Sequence, residues 1–317
     1  MKLKNILLYL LPIAGLCSSC NDEWENEQFT HYISFKAPIN SDGVSRINVR
    51  YRSGNEKTTF QLPIIVSGST TNERNITVHV GLDTDTLKVL NQERFNNRTD
   101  LYYQVLPKKF YSHSETVQIN AGQDVALMPI DFSMEGIDLS DKWVLPLTIE
   151  ESPDGNYTPN YRKHYRKALL RVMPFNDYSG NYSATAMNIY FADSSNDPLV
   201  VDNRRAHVVD ENTVFFYAGT KEDNAIDRET YKINVKFEEP SEVTETKKKG
   251  NLTITAANSS INFQLTEHPT YEIWDEMDTN QPYLMHRYYV LYIKYTYDDI
   301  TTSNVPTSYR AEGSLTM

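Results

Sequence analysis

Apolar and polar positions alternate with a period of two along most of this chain. Ile76, Val78, Val80 and Leu82 interleave with Thr77, His79 and Gly81, and Tyr231, Ile233, Val235 and Phe237 interleave with Lys232, Asn234 and Lys236. Such alternation predicts half-buried antiparallel strands. In the first half, Val105-Leu106-Pro107, residues 117–122 and residues 143–149 read as strands at sandwich spacing, and the prolines of Leu106-Pro107 and Leu145-Pro146 point to edge or bulge positions. In the second half, residues 213–217, 231–237, 251–255, 261–265 and 287–297 read as a meander. Residues 246–250 and 257–260 are its hairpin tips, with no room for crossover helices. Helical signals are confined to residues 85–98 and a short turn at 268–277.

Within residues 288–297, alternation sends Tyr289, Leu291, Ile293, Tyr295 and Tyr297 to one face, which reads as core. Residues 168–173 read as a closing strand, Pro174 cannot continue a ladder, and an aromatic, turn-rich pattern begins at Phe175. The division is therefore a leader at 1–19, an acidic tether at 20–30, a first β unit at 31–173 and a second at 174–317.

The leader changes the picture most. Lys2 and Lys4 precede an apolar run from Ile6 to Leu16, and Cys17-Ser18-Ser19-Cys20 closes it, a run too short to span a bilayer. This is the layout of a lipoprotein signal peptide, with Cys20 as the acylated first residue of the mature chain. Asn21, Asp22 and Glu23 follow directly and resemble the surface-export signal of Bacteroidetes lipoproteins. The expected address is the outer membrane, lipid-anchored, facing the medium.

With the leader removed, 29 Lys and Arg stand against 42 Asp and Glu, a balance of −13. A nucleic-acid partner is thereby disfavoured, and membrane contact runs through the lipid alone. The two cysteines are Cys17 and Cys20, so the mature chain has no thiol nucleophile, disulfide or thiolate metal site.

The first unit resembles the immunoglobulin-like N-terminal domain of unknown function found in Bacteroidetes surface lipoproteins and ahead of some family 18 glycosidases. The residues that carry this are Leu106-Pro107 followed by Tyr111, Ile119-Asn120-Ala121-Gly122, and Trp143 to Leu147. The acidic D-x-x-D-x-D-x-E strand signature of a family 18 catalytic domain is nowhere in the chain. The second unit resembles the lipocalin-like domains paired with it, through residues 178–182, the Tyr289-to-Tyr297 strand with Asp298-Asp299, and residues 309–315. The resemblance implies an all-β protein, a β-sandwich followed by an antiparallel barrel or curled sheet. It also implies a glycan-binding or accessory role beside an outer-membrane importer of a polysaccharide-utilisation system.

Catalytic patterns are scarce. The seven histidines have no ligand spacing, and no cofactor or metal is implied. Asp83-x-Asp85 and Asp154-Gly155-Asn156 are the best calcium candidates, but neither extends into a full ligand loop and a β-turn explains both better. Asp275, Glu276 and Asp278 read as a solvated face rather than glycosidase carboxylates. The expectation is a binding protein without enzymatic activity; the competing class is an importer subunit that contacts no sugar.

Sugar binding needs flat rings beside hydroxyl-bonding side chains. Tyr271, Trp274 and Tyr283, with Asp275, Asn280 and Gln281, supply them in one connection, where a plug at the barrel mouth is the other role for Trp274. Tyr157 and Tyr161 supply them in a second loop, where domain-interface packing is the alternative.

Overall fold

The computed structural model describes residues 27–54, 56–194, 196–301 and 305–317. The leader, Cys20 and the Asn21-Asp22-Glu23 cluster lie outside the described residues. The chain is all-β, as its periodicity predicts.

Residues 32–175 form a sandwich. Its strands are β1 (Tyr32–Phe35), β2 (Ser45–Arg50), β3 (Thr58–Val66), β4 (Ile76–Leu82), β5 (Tyr103–Val105), β6 (Tyr111–His113), β7 (Thr116–Ile119), β8 (Val125–Phe132), β9 (Lys142–Ile149), β10 (Thr158–Pro159) and β11 (Lys167–Phe175). One sheet has the order β10-β1-β3-β8-β6 and the other β2-β11-β9-β4-β7, with β5 beside β9. Their inner faces meet in an aliphatic core that includes Ile33, Leu62, Ile64, Val78, Val80, Leu145 and Ile149.

Helix α1 (Thr84–Phe95) forms where the sequence places one. Asp83 starts it, accepting from the Thr86 amide at 3.1 Å and meeting the Lys167 ammonium. That is the work of the first calcium candidate. The second is a turn in which Asp154 accepts from Ser152 Oγ and the Asn156 amide.

Two prolines sit deeper in the sheet than expected. Pro146 lies within β9, but β5 pairing ends at Val144 and β4 pairing begins at Leu147. Its carbonyl accepts from Asp83 on that side, so the missing N–H faces a gap in the ladder. Pro174 continues β11 rather than ending it, paired with Val49. The carbonyl of Phe175 faces β2, accepting from Tyr51, so Pro174 turns its missing N–H to the other side, where β9 pairing has stopped at Arg171.

The second sheet comprises β12 (Gly180–Ser183), β13 (Met187–Phe191), β14 (Leu199–Val200), β15 (Asn203–Val208), β16 (Thr213–Tyr217), β17 (Lys232–Val243), β18 (Lys247–Ala256), β19 (Gln264–Leu265), β20 (Thr270–Met277), β21 (Met285–Asp299) and β22 (Thr307–Thr316). Neighbours run β12-β15-β16-β17-β18-β20-β21-β22, and β22 returns to β12 through Ser183 and Thr316. The ring is closed with eight strands.

Eight strands leave an interior that side chains can just fill. Here Tyr182, Phe216, Tyr231, Leu291 and Tyr295 fill it, and the void beside Tyr295 is about 20 Å³. Tyr289, Leu291, Ile293, Tyr295 and Tyr297 point inward as alternation requires. Gly219, at φ +57°, is fixed by the same filling: its amide donates to Tyr295 Oη at 2.9 Å, and a Cβ there would strike the Tyr297 hydroxyl.

Three local expectations differ. Residues 268–277 form no helical turn; most of them are β20, and they pair on both sides. The tip between β17 and β18 is residues 244–246, with Lys247 to Gly250 already in β18. Around residue 260 a 3-10 turn, Ser259–Ile261, replaces part of a strand.

Candidate functional site

The long β20–β21 ladder builds one outward aromatic face. Alternation turns Tyr271 inward, so Thr270, Glu272 and Trp274 point out, and their partners across the ladder are Tyr292, Val290 and Tyr288. Trp274 and Tyr288 stack with ring centroids 5.4 Å apart and planes 24° from parallel. Tyr292, one side-chain repeat further along the ladder from Val290, is 46% exposed. It borders a groove of about 350 Å³ lined also by His268 and by the Glu267–Lys294 ion pair.

Polar groups frame the rings. Lys247 lies opposite Trp274 on β18, and Lys247 and Lys249 reach Glu272 at 2.9 and 3.6 Å. At the hairpin tip, Asp278 accepts from the amides of Asn280 and Gln281 at 2.8 Å and from His286 at 2.9 Å. The His286 bond and those amides hold its carboxyl below the usual range. On the opposite face of the ladder, beside Tyr289, Asp275 takes a bidentate bond from Arg287 at 2.6 and 2.7 Å, which lowers its carboxyl in the same way. A flat apolar surface rimmed by donors and acceptors is suited to the C–H face and hydroxyls of a sugar.

The residues singled out in the sequence separate into two groups. Trp274 and Tyr283 belong to this hairpin: Trp274 is a strand residue on the outer face rather than a loop residue or a plug, and Tyr283 is 81% exposed, donating to Gln281 at 2.9 Å. Tyr161 is 70% exposed and meets Tyr32 edge-on at 5.6 Å.

Tyr271 and Tyr157, by contrast, are core residues. Tyr271 is 2% exposed and donates to the Glu238 carbonyl; Tyr157 receives the His79 amide and donates to the Glu150 carbonyl, each at 3.0 Å. Tyr271 offers no ring face to a ligand, and Tyr157, 7% exposed, only borders a groove of about 840 Å³. Sequence reasoning missed Tyr288 and Tyr292 as surface rings, although their place between the inward tyrosines of β21 carries that information. Among the described residues no cluster of three His, Cys, Asp or Glu is arranged to hold a metal, and no helix is long and apolar enough to cross a membrane.

A family model for a domain of unknown function (DUF4973) matches residues 24–153, and a second, for a C-terminal domain, matches residues 166–316. No curated protein matches the chain. Among solved structures, a multidomain protein including DUF1735 from Bacteroides ovatus is 41% identical, with 90% of this chain and 94% of that one covered and a TM-score of 0.78. A Bacteroides ovatus protein of unknown function is 36% identical over 94% of this chain and 93% of its own, with a TM-score of 0.79. An auxiliary nutrient binding protein from Bacteroides thetaiotaomicron is 36% identical, covering 91% and 95%, with a TM-score of 0.76. The chain belongs to the family of these Bacteroides proteins, with a domain of unknown function (DUF4973) as its N-terminal part.

Proposed function

We propose that this protein binds glycan without cleaving it, as a lipid-anchored component of the cell surface serving a polysaccharide-utilisation system. The observation that carries the reading is the outward Trp274–Tyr288–Tyr292 face, with Tyr292 exposed and the stacked Trp274 and Tyr288 half-buried, rimmed by Lys247, Glu272 and His268. The kinship with a nutrient binding protein at 36% identity supports it. Non-catalytic binding is supported by the carboxylates at this hairpin: Glu272 and Asp278, beside the rings, and Asp275, behind them, are each committed to a lysine, histidine or arginine, which suits a fixed frame better than an acid–base pair. The anchoring rests on the Cys20-terminated leader.

Titration of the chain against a panel of oligosaccharides tests this. A ligand should emerge whose affinity falls roughly thirty-fold in Trp274→Ala, equivalent to about 2 kcal/mol for a lost aromatic anchor. The melting temperature should hold, because Trp274 lies outside the barrel core. A panel without a single binder would leave the importer-subunit role instead.

A further inference from the structure

A second cavity lies where the sandwich meets the barrel. It encloses about 220 Å³ between β9 and β11 on one side and β15 and β16 on the other. From the sandwich, Lys142 and Arg171 line it with Asp141; from the barrel, Arg205 and Arg228 line it with His207 and Asp223.

Four cations, Lys142, Arg171, Arg205 and Arg228, line it against two acids, Asp141 and Asp223. Asp223 is engaged by His207 at 3.0 Å, and Arg228 is held by Asp100 and Glu229, each at 3.6 Å. Arg171 reaches Asp42 at 3.4 Å, but that carboxylate oxygen is already bound by Arg46 at 2.7 Å, so two guanidiniums share one acid. Among the described residues the Lys142 ammonium meets the Leu101 carbonyl at 3.4 Å and the ring of Phe95 at 5.1 Å. Among the described residues neither Lys142 nor Arg205 has an ion-pair partner. Burial lowers the affinity of Lys142 for its proton, and repulsion from Arg171 and Arg228 adds to this against the attraction of Asp223. Burial acts on Arg171 in the same direction. Lys142 and Arg171, partly buried and short of counter-charge, are costly unless something negative joins them, and exposed Arg205 borders the same cavity.

We propose that this cavity is a binding site for a small ligand carrying a carboxylate, an acidic sugar or a small organic acid, with Lys142, Arg171 and Arg205 supplying its counter-charge. Guanidinium forks match the planar carboxylate, and the lysine adds a point charge. Because both halves of the chain contribute, the ligand ties them together, and its binding stabilises the folded protein as a whole. The site is separate from the outer face of β20 and β21 and does not depend on it.

Calorimetric titration of the full chain with D-glucuronate, acetate and D-glucose, with thermal melts alongside, tests the proposal. Glucuronate should bind and raise the melting temperature, and glucose should do neither. Acetate binding as tightly as glucuronate identifies a general carboxylate site, and weaker acetate binding identifies the sugar ring as part of the ligand. Lys142→Met and Arg205→Ala should each weaken glucuronate about tenfold or more, the loss of one charge-assisted contact. Arg205 is exposed, so its removal leaves folding intact should Lys142→Met fail to fold. Glucuronate binding no tighter than glucose, or unchanged in Arg205→Ala, overturns the proposal. So does its loss in a Trp274→Ala, Tyr288→Ala double variant, which would place the binding on the outer face.

Discussion

The sandwich and the barrel use the same alternating pattern to make two different interiors. The sandwich core is mostly aliphatic, built on Ile33, Leu62, Ile64, Val78 and Ile149, and such side chains need only volume. The barrel core is rich in tyrosine, and each buried hydroxyl needs a partner. Tyr182 donates to the Tyr178 carbonyl, Tyr231 to Asp299 and Tyr271 to the Glu238 carbonyl, each at 2.8 Å, while Tyr295 accepts from Gly219. The lesson is functional. A barrel packed with phenol rings leaves a void of only about 20 Å³ beside Tyr295, so the larger concave surfaces lie outside it and at the junction with the sandwich.

The sharpest way to break this comparison is to open a cavity in each core. Leu291→Ala and Ile64→Ala remove wholly buried side chains, 0% exposed in both cases, and each should cost 2–5 kcal/mol by the usual range for such truncations, about. Denaturant unfolding measures both. If Leu291→Ala were nearly neutral, or opened a pocket that bound glycan, the barrel would be a loosely filled container rather than a packed core.

A smaller effect separates hydroxyls from volume. Tyr157→Phe leaves the His79 amide without its acceptor and the Glu150 carbonyl without its donor, at a cost of about 1–3 kcal/mol. Tyr271→Phe strands only the Glu238 carbonyl and should cost about 1 kcal/mol. Neither should change glycan affinity, since both rings are buried. A loss of affinity in a stably folded Tyr271→Phe would return that residue to the binding site.

How much of this was legible in the sequence follows from where period two decides the outcome. The inward set Tyr289, Leu291, Ile293, Tyr295 and Tyr297 could be read directly, because a one-residue slip would bury Lys294 and expose the rest. Trp274 was identified as a surface ring, but its strand was hidden: Glu272, Asp275 and Glu276 resemble a solvated loop until Lys249, Arg287 and His286 face them across the ladder. Tyr157 and Tyr271 look like their exposed neighbours Tyr161 and Tyr283, since a phenol serves equally as a core filler with a bonded hydroxyl or as a surface plate. Only long-range partners, Glu150 and His79 for one and Glu238 for the other, decide between the two. The junction cavity was illegible for the same reason, as Lys142, Arg171 and Arg205 are brought together by the docking of two sheets distant in sequence.

The smallest expected effect concerns pH, and it rests on one carboxylate of the sandwich, Asp83. Burial alone would raise the Asp83 carboxyl, but the Lys167 ammonium and the Thr86 hydroxyl and amide outweigh it and hold the group below its ordinary 3.8. A carboxyl depressed in the folded state adds stability that is fully present above the unfolded-state value and is lost as pH falls through the folded one. The contribution should therefore be constant above about pH 5 and fade below about pH 4. Asp83→Asn removes the charge but keeps a side-chain oxygen able to cap α1, so its cost at pH 7, about 1 kcal/mol or less, reports mainly the lost Lys167 pair. Thermal melts of wild type and Asp83→Asn between pH 7 and pH 3 measure the difference, which should shrink as the pH drops. A gap that stayed constant to pH 3 would mean that Asp83 acts as a neutral cap, with no charge term of its own.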